Sequence, residues 1–123
     1  MRALIVDDSR FIRDFLGGLL RGMQIESSQA ADGREALDLL SSGTQFDIAL
    51  VDVNMPTMNG LDLVKSVREQ EAFNEMKVMM VTTEADTTIV SKALQLGADE
   101  FLMKPFSEES LKEKLWLMGI VEN

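Results

Sequence analysis

Four short apolar runs in this sequence stop at a residue able to handle phosphate or a cation. Ala3-Leu4-Ile5-Val6 stops at Asp7-Asp8, Ile48-Ala49-Leu50-Val51 at Asp52, Val78-Met79-Met80-Val81 at Thr82, and Phe101-Leu102-Met103 at Lys104. Taken singly, each has a plain explanation: an acid after a strand caps the next helix, a threonine is a strand-end hydroxyl, a lysine is a solvated charge. Their joint arrival at one edge of a sheet calls for chemistry. Two carboxylates about 4 Å apart repel by on the order of 4 kcal/mol at an effective dielectric near 20. Three acids in one pocket must therefore hold protons or recruit a cation. Oxygen ligands without His or Cys favour Mg2+ or a similar hard ion. Such an ion beside a lysine attracts a phosphoryl group and neutralises charge as it transfers. An ionised carboxylate is the nucleophile that least needs a helper base, and its product is an acyl phosphate. Asp52, on the strand expected at the centre and facing the other acids, is the candidate acceptor.

Composition narrows the alternatives. The 123 residues contain no Cys, which removes disulfides, zinc–thiolate sites and thiol catalysis. They contain no His, so the usual general base and commonest metal ligand are missing too. The formal net charge is −9, from 21 acidic and 12 basic residues, with no dense Lys/Arg cluster to grip a nucleic-acid backbone. No apolar run approaches the roughly 18 residues of a membrane span, and the run after Met1-Arg2 is too short for a signal-peptide core. Cytoplasmic placement is the expectation, and the length fits one domain with a single core.

The elements that must position these residues alternate. After Asp7-Asp8, Phe11, Ile12, Phe15, Leu16, Leu19, Leu20 and Met23 recur at helical spacing, with Ser9 placed to cap. Gln24 to Ala30 reads as a short polar strand. Asp32-Gly33-Arg34-Glu35 has capping-box spacing and opens a helix to about Ser41. Leu61, Val64 and Val67 give the next helix an inner face. Ile89, Val90, Ala93, Leu94 and Leu96 mark a fourth helix, stopped by Gly97, and Ser107 caps a fifth containing Leu111, Leu115 and Met118. Strands separated by helices pair in parallel through right-handed crossovers. Five such units are too few for an eight-unit barrel, so the fold expected is α/β, a doubly wound parallel sheet with helices on both faces. Ligands in such sheets bind beyond the carboxyl ends of the strands, where the four polar ends lie.

Taken together, Asp7-Asp8, Asp52, Thr82 and Lys104-Pro105 resemble the pattern of response regulator receiver domains. Asp52-Val53-Asn54-Met55-Pro56-Thr57-Met58-Asn59-Gly60 is similar to the family's D-x-x-M-P-x-M-x-G loop, and Lys104-Pro105-Phe106 to its K-P-F turn. The likeness runs from Ala3 to about Met118 and is nearest to the single-domain, CheY-like chemotaxis regulators. It implies a three-layer, flavodoxin-like sandwich of five strands in the order 2-1-3-4-5 with five helices.

The resemblance also assigns roles. Asp52 takes a phosphoryl group from a histidine kinase. Asp8, Asp52 and the backbone carbonyl of Asn54 hold Mg2+, with Asp7 helping through water. Lys104 binds the phosphoryl oxygens, Thr82 moves inward to them, and Phe101 occupies an aromatic switch position where tyrosine is frequent. Asn54 and Glu84 flank the pocket as tuning residues or as plain loop polars. Lys104-Pro105 is expected to be cis.

The implied product is a stand-alone signalling switch, a single receiver domain over residues 1–123 with no output domain, catalysing only its own phosphorylation and dephosphorylation. Its readout is the face of helix four, strand five and helix five, with Val90, Leu94, Phe101 and Trp116 as candidate contacts. Trp116 reads equally as packing. The partners implied are a histidine kinase, a downstream protein such as a flagellar motor switch, and a phosphatase. The chain is expected to be monomeric, with dimerisation on activation open. A phosphorelay intermediate, or a phosphatase using an aspartyl phosphate, is the alternative. The phosphatase lacks its usual second acid, since position 54 is Asn.

Overall fold

The computed structural model describes residues 1–53, 55, 58–83 and 87–122, residue 87 by its backbone alone. The order is β1 (Arg2–Val6), α1 (Arg10–Gly22), β2 (Glu26–Ala30), α2 (Gly33–Ser41), β3 (Ile48–Asp52), α3 (Gly60–Arg68), β4 (Lys77–Thr82), α4 (Thr87–Leu96), β5 (Glu100–Met103) and α5 (Glu108–Leu117). A short 3-10 turn, Glu71–Phe73, precedes β4. All strands pair in parallel in the order β2-β1-β3-β4-β5.

Alternation along the strands divides the core. Leu4 and Val6 of β1, Ala49 and Val51 of β3, and Val78 and Met80 of β4 pack with Ala36, Leu40, Leu63, Val64, Val67 and Ala93 from α2, α3 and α4. Their neighbours Ala3, Ile5, Ile48, Leu50, Met79 and Val81 pack with Leu16, Leu20, Leu111 and Leu115 from α1 and α5. A period of two places successive side chains on opposite faces, and both faces here are covered. That explains why the central strands read as continuous apolar runs. The three-layer arrangement and strand order are those expected.

Local signals hold with instructive exceptions. Ser9 caps α1 by accepting from the Ile12 N–H at 3.3 Å. Asp32 caps α2 by accepting from Glu35 N–H at 2.9 Å, but Glu35 returns its bond to Ala31 N–H rather than to the cap itself. The fifth helix has a full capping box built from two serines, Ser107 and Ser110. Strand β2 begins two residues later than expected because Gln24, at φ +64°, turns the chain out of α1. On α3, Leu63 is buried and Leu61 only partly so. The helical stripe of α1 is narrower than its apolar spacing suggests. Phe11 is 76% exposed and Phe15 43%, and the two rings stack on each other instead of entering the core.

Arg68 ties the far end of the sheet. Its guanidinium donates to the carbonyls of Gly97, Phe73 and Met76 and to Asp99 Oδ2, which also accepts from Val78 N–H. Gly97, at φ +117° and against the Arg68 stem, can be neither left-handed nor this close with a Cβ. This anchors β4 and β5 at their amino ends, so that Thr82 and Lys104 emerge together at the carboxyl edge.

Candidate functional site

The carboxyl edge of the sheet gathers the residues that the sequence marks. Val6 pairs with Val51, Asp52 with Val81, and Thr82 with Met103, so the polar residues leave adjacent strands at nearly one level. Asp7, Asp8 and Asp52 each offer a carboxylate oxygen, and these oxygens lie within 4.8 Å of one another. Asp7, Asp52 and Thr82 are buried, and Asp8 is exposed. Lys104 reaches in from the far side of the sheet, its side chain 15% exposed. Its Nζ donates to Asp7 Oδ2 at 2.9 Å and stands 3.7 Å from Asp52 Oδ1. Its main-chain N–H donates to the Thr82 carbonyl at 2.8 Å, binding the two strand ends together. The Lys104–Pro105 peptide is cis.

Asp7 is held on every side. Its N–H donates to Ala30 O at 3.1 Å, its Oδ1 accepts from Ser9 N–H at 2.9 Å, and its carbonyl accepts from the Arg13 guanidinium at 2.8 Å. With Lys104 on Oδ2, Asp7 works as the fixed, buried acid of the group. Asp8, next to it, is open to solvent and brings its carboxylate to the same cluster.

Beneath Asp52, Gly60 opens α3 and donates its N–H to Val53 O at 2.9 Å. A Cβ at Gly60 would collide with the Asp52 carbonyl oxygen. The glycine lets α3 start directly under the end of β3. Asn59 caps that helix by accepting from Asp62 N–H at 2.9 Å.

The donor set is all oxygen and suits Mg2+, which binds one or two carboxylates and keeps several waters. One lysine against three carboxylates leaves the pocket with excess negative charge, which favours a divalent ion. Asn54 and Glu84 lie outside the described residues, as do Pro56 and Thr57 of the loop motif.

Away from the acids, Phe101 sits half-buried on β5 against the α2–α4 core. The Lys114 ammonium stands 4.9 Å from its ring centroid and 3.2 Å from Glu100 Oε1. A small cavity of about 10 Å³ is bordered by Thr82, Val90, Leu94 and Phe101 among others. Trp116 is 49% exposed on α5, and Leu94 is exposed on α4. The roles of Arg13 and Gly60 were not visible in the sequence. An arginine six residues after an acid carries no spacing signal, and a glycine opening a helix is commonplace.

Fold and edge geometry define a doubly wound α/β domain with an acidic, lysine-bridged site at the carboxyl ends of its strands. Residues 3–116 match the response regulator receiver domain, and the chain belongs to that family. Its members are signalling regulators rather than conventional enzymes. The chain is 40% identical over 116 residues to chemotaxis protein CheY-3 of Vibrio cholerae, covering 94% of this chain and 88% of the relative. It is equally similar to CheY1 of Helicobacter pylori, there covering 94% of both. Among solved structures, chemotaxis protein CheY4 of Vibrio cholerae superposes with a TM-score of 0.90 at 38% identity, over 95% of this chain and 97% of that one. Among the described residues, no helix is long and apolar enough to cross a membrane.

Proposed function

We propose that the protein is a phosphorylation-controlled signalling switch whose phosphoryl acceptor is Asp52. The observation that carries this reading is the setting of Asp52: buried, at the end of the central strand, clustered with Asp7 and Asp8, and 3.7 Å from the Lys104 ammonium. Asp8, Asp52 and the carbonyl of Asn54 would hold Mg2+, with Asp7 assisting through water. When bound, the ion supplies charge neutralisation for the incoming phosphoryl oxygens. An Asp52 carboxylate oxygen forms the new bond to phosphorus as the bond from phosphorus to the donor histidine nitrogen breaks. The ammonium of Lys104 moves from the acids toward the phosphoryl oxygens.

The acyl phosphate adds roughly −1.5 to −2 charge and three acceptor oxygens. The state in which Thr82 donates to those oxygens gains population, and Phe101 follows into the space beside it. Since Phe101 has no hydroxyl, its part in the switch is ring burial. The changed face is α4–β5–α5, where Leu94 and Trp116 are exposed. A histidine kinase is the phosphodonor, and hydrolysis of the acyl phosphate resets the switch. The chain acts as a single receiver domain in the cytoplasm, in a chemotaxis pathway with a flagellar motor switch as target. The similarity to proteins named for chemotaxis supports that pathway.

Incubation with a small-molecule phosphodonor and Mg2+ tests the reading. Wild type should gain a hydroxylamine-labile phosphate and Asp52→Asn should gain none. Equal labelling of both would overturn the assignment.

A further inference from the structure

Asp8 faces solvent and still has to present its carboxylate to the same point as the buried Asp52. Something must hold the backbone on which it stands. Both neighbours of Asp8 are held by one residue. Arg13, in the first turn of α1, donates its main-chain N–H to Ser9 O at 3.0 Å and its guanidinium to Asp7 O at 2.8 Å. The guanidinium is itself aimed by Gln29 on β2, whose Oε1 accepts from Nε at 3.1 Å, while the Gln29 amide donates to Asp14 Oδ1. The Asp7–Ser9 turn is therefore clamped to both the helix that follows it and the edge strand beside it.

We propose that Arg13 is a positioning residue for the cation site, holding the Asp7–Ser9 turn so that Asp8 meets the ion at the geometry set by Asp52. The inference rests on the reading of the acidic cluster as a Mg2+ site. It goes beyond that reading because Arg13 touches neither the ion nor the phosphoryl group. It also opposes what simple charge would give. A cation this close to the pocket repels Mg2+, so electrostatics alone makes removal of Arg13 tighten binding. Positioning makes removal weaken it, since Mg2+ demands near-ideal octahedral geometry and residues that orient ligands typically carry tenfold or greater effects on metal affinity.

Titration calorimetry with Mg2+ alone decides between them. Arg13→Met keeps the aliphatic stem and helix propensity but loses the donors, and it should weaken Mg2+ about tenfold. Arg13→Lys restores a donor of similar reach and should recover most of the affinity. Arg10→Ala, on the exposed face of the same helix, should match wild type. Unchanged or tighter Mg2+ binding by Arg13→Met would overturn the proposal, as would equal weakening by Arg10→Ala. Should Arg13→Met fail to fold, Gln29→Ala frees the guanidinium and should weaken Mg2+ measurably, and unchanged affinity there would overturn the proposal in its place. Failure of wild type to bind Mg2+ would overturn the parent reading and this one together. Normal wild-type binding with unaffected variants would overturn this one alone.

Discussion

The Lys104 ammonium and the Asp7 carboxylate, 97 residues apart in sequence, form a 2.9 Å hydrogen-bonded ion pair with Asp7 almost fully buried. The pair joins the first strand to the last across β3 and β4. Removing one partner of a buried pair leaves an uncompensated charge and typically costs about 3–5 kcal/mol. Lys104→Met should therefore lower the unfolding free energy in denaturant titrations by about 3 kcal/mol. Saturating Mg2+ should return part of that loss. A variant as stable as wild type without Mg2+ would mean the pair does not hold the edge together.

Asp8 is the opposite case. Exposed beside two buried acids, it contributes repulsion when no ion is bound. Asp8→Asn should raise the melting temperature by a few degrees in chelator. Wild type should gain stability steadily as Mg2+ is added, following the free ion concentration over its dissociation constant, and Asp8→Asn should gain little. Equal Mg2+ stabilisation of both proteins would remove Asp8 from the ligand set.

At Gly60 the neighbour of a new Cβ is backbone, which cannot rotate away. Gly60→Ala should cost roughly 2 kcal/mol, within the range for overpacked sites, and should weaken Mg2+ binding by displacing Asp52. Loss of stability with normal Mg2+ affinity would show that the start of α3 and Asp52 are not mechanically joined.

In the proposed switch, Thr82 separates phosphorylation from its consequence. Thr82→Ala should still incorporate phosphate at Asp52. The amide shifts that beryllofluoride and Mg2+ induce along α4, β5 and α5 of wild type should be largely lost. Full shifts in the variant would place the switch elsewhere.

Most of the fold was legible because its central strands are buried on both faces and so read as unbroken apolar runs. The site was legible for a related reason: each run ended abruptly in a polar residue, and parallel strands deliver such ends to one edge. What stayed hidden depends on distances that sequence spacing does not encode. Helical periodicity at Phe11 and Phe15 cannot tell how wide a stripe the core covers; Phe11 proved largely exposed and Phe15 only partly covered. The clamp of Arg13 on Asp7, the reach of Glu35 to Ala31, and the Arg68 knot all use main-chain partners, which every sequence offers at every position. The collision that requires glycine at Gly60 appears only once α3 is docked beneath β3.

The central claim is that the phosphoryl group is carried by Asp52, and chemical mapping reaches it most directly. Wild type phosphorylated by a small-molecule donor with Mg2+ is reduced with borohydride, which converts an aspartyl phosphate to homoserine, and the digested peptides are sequenced by mass spectrometry. Homoserine at position 52 and nowhere else is the predicted result. Homoserine at position 7 or 8, or phosphate retained on a hydroxyl side chain with residue 52 unaltered, would contradict it.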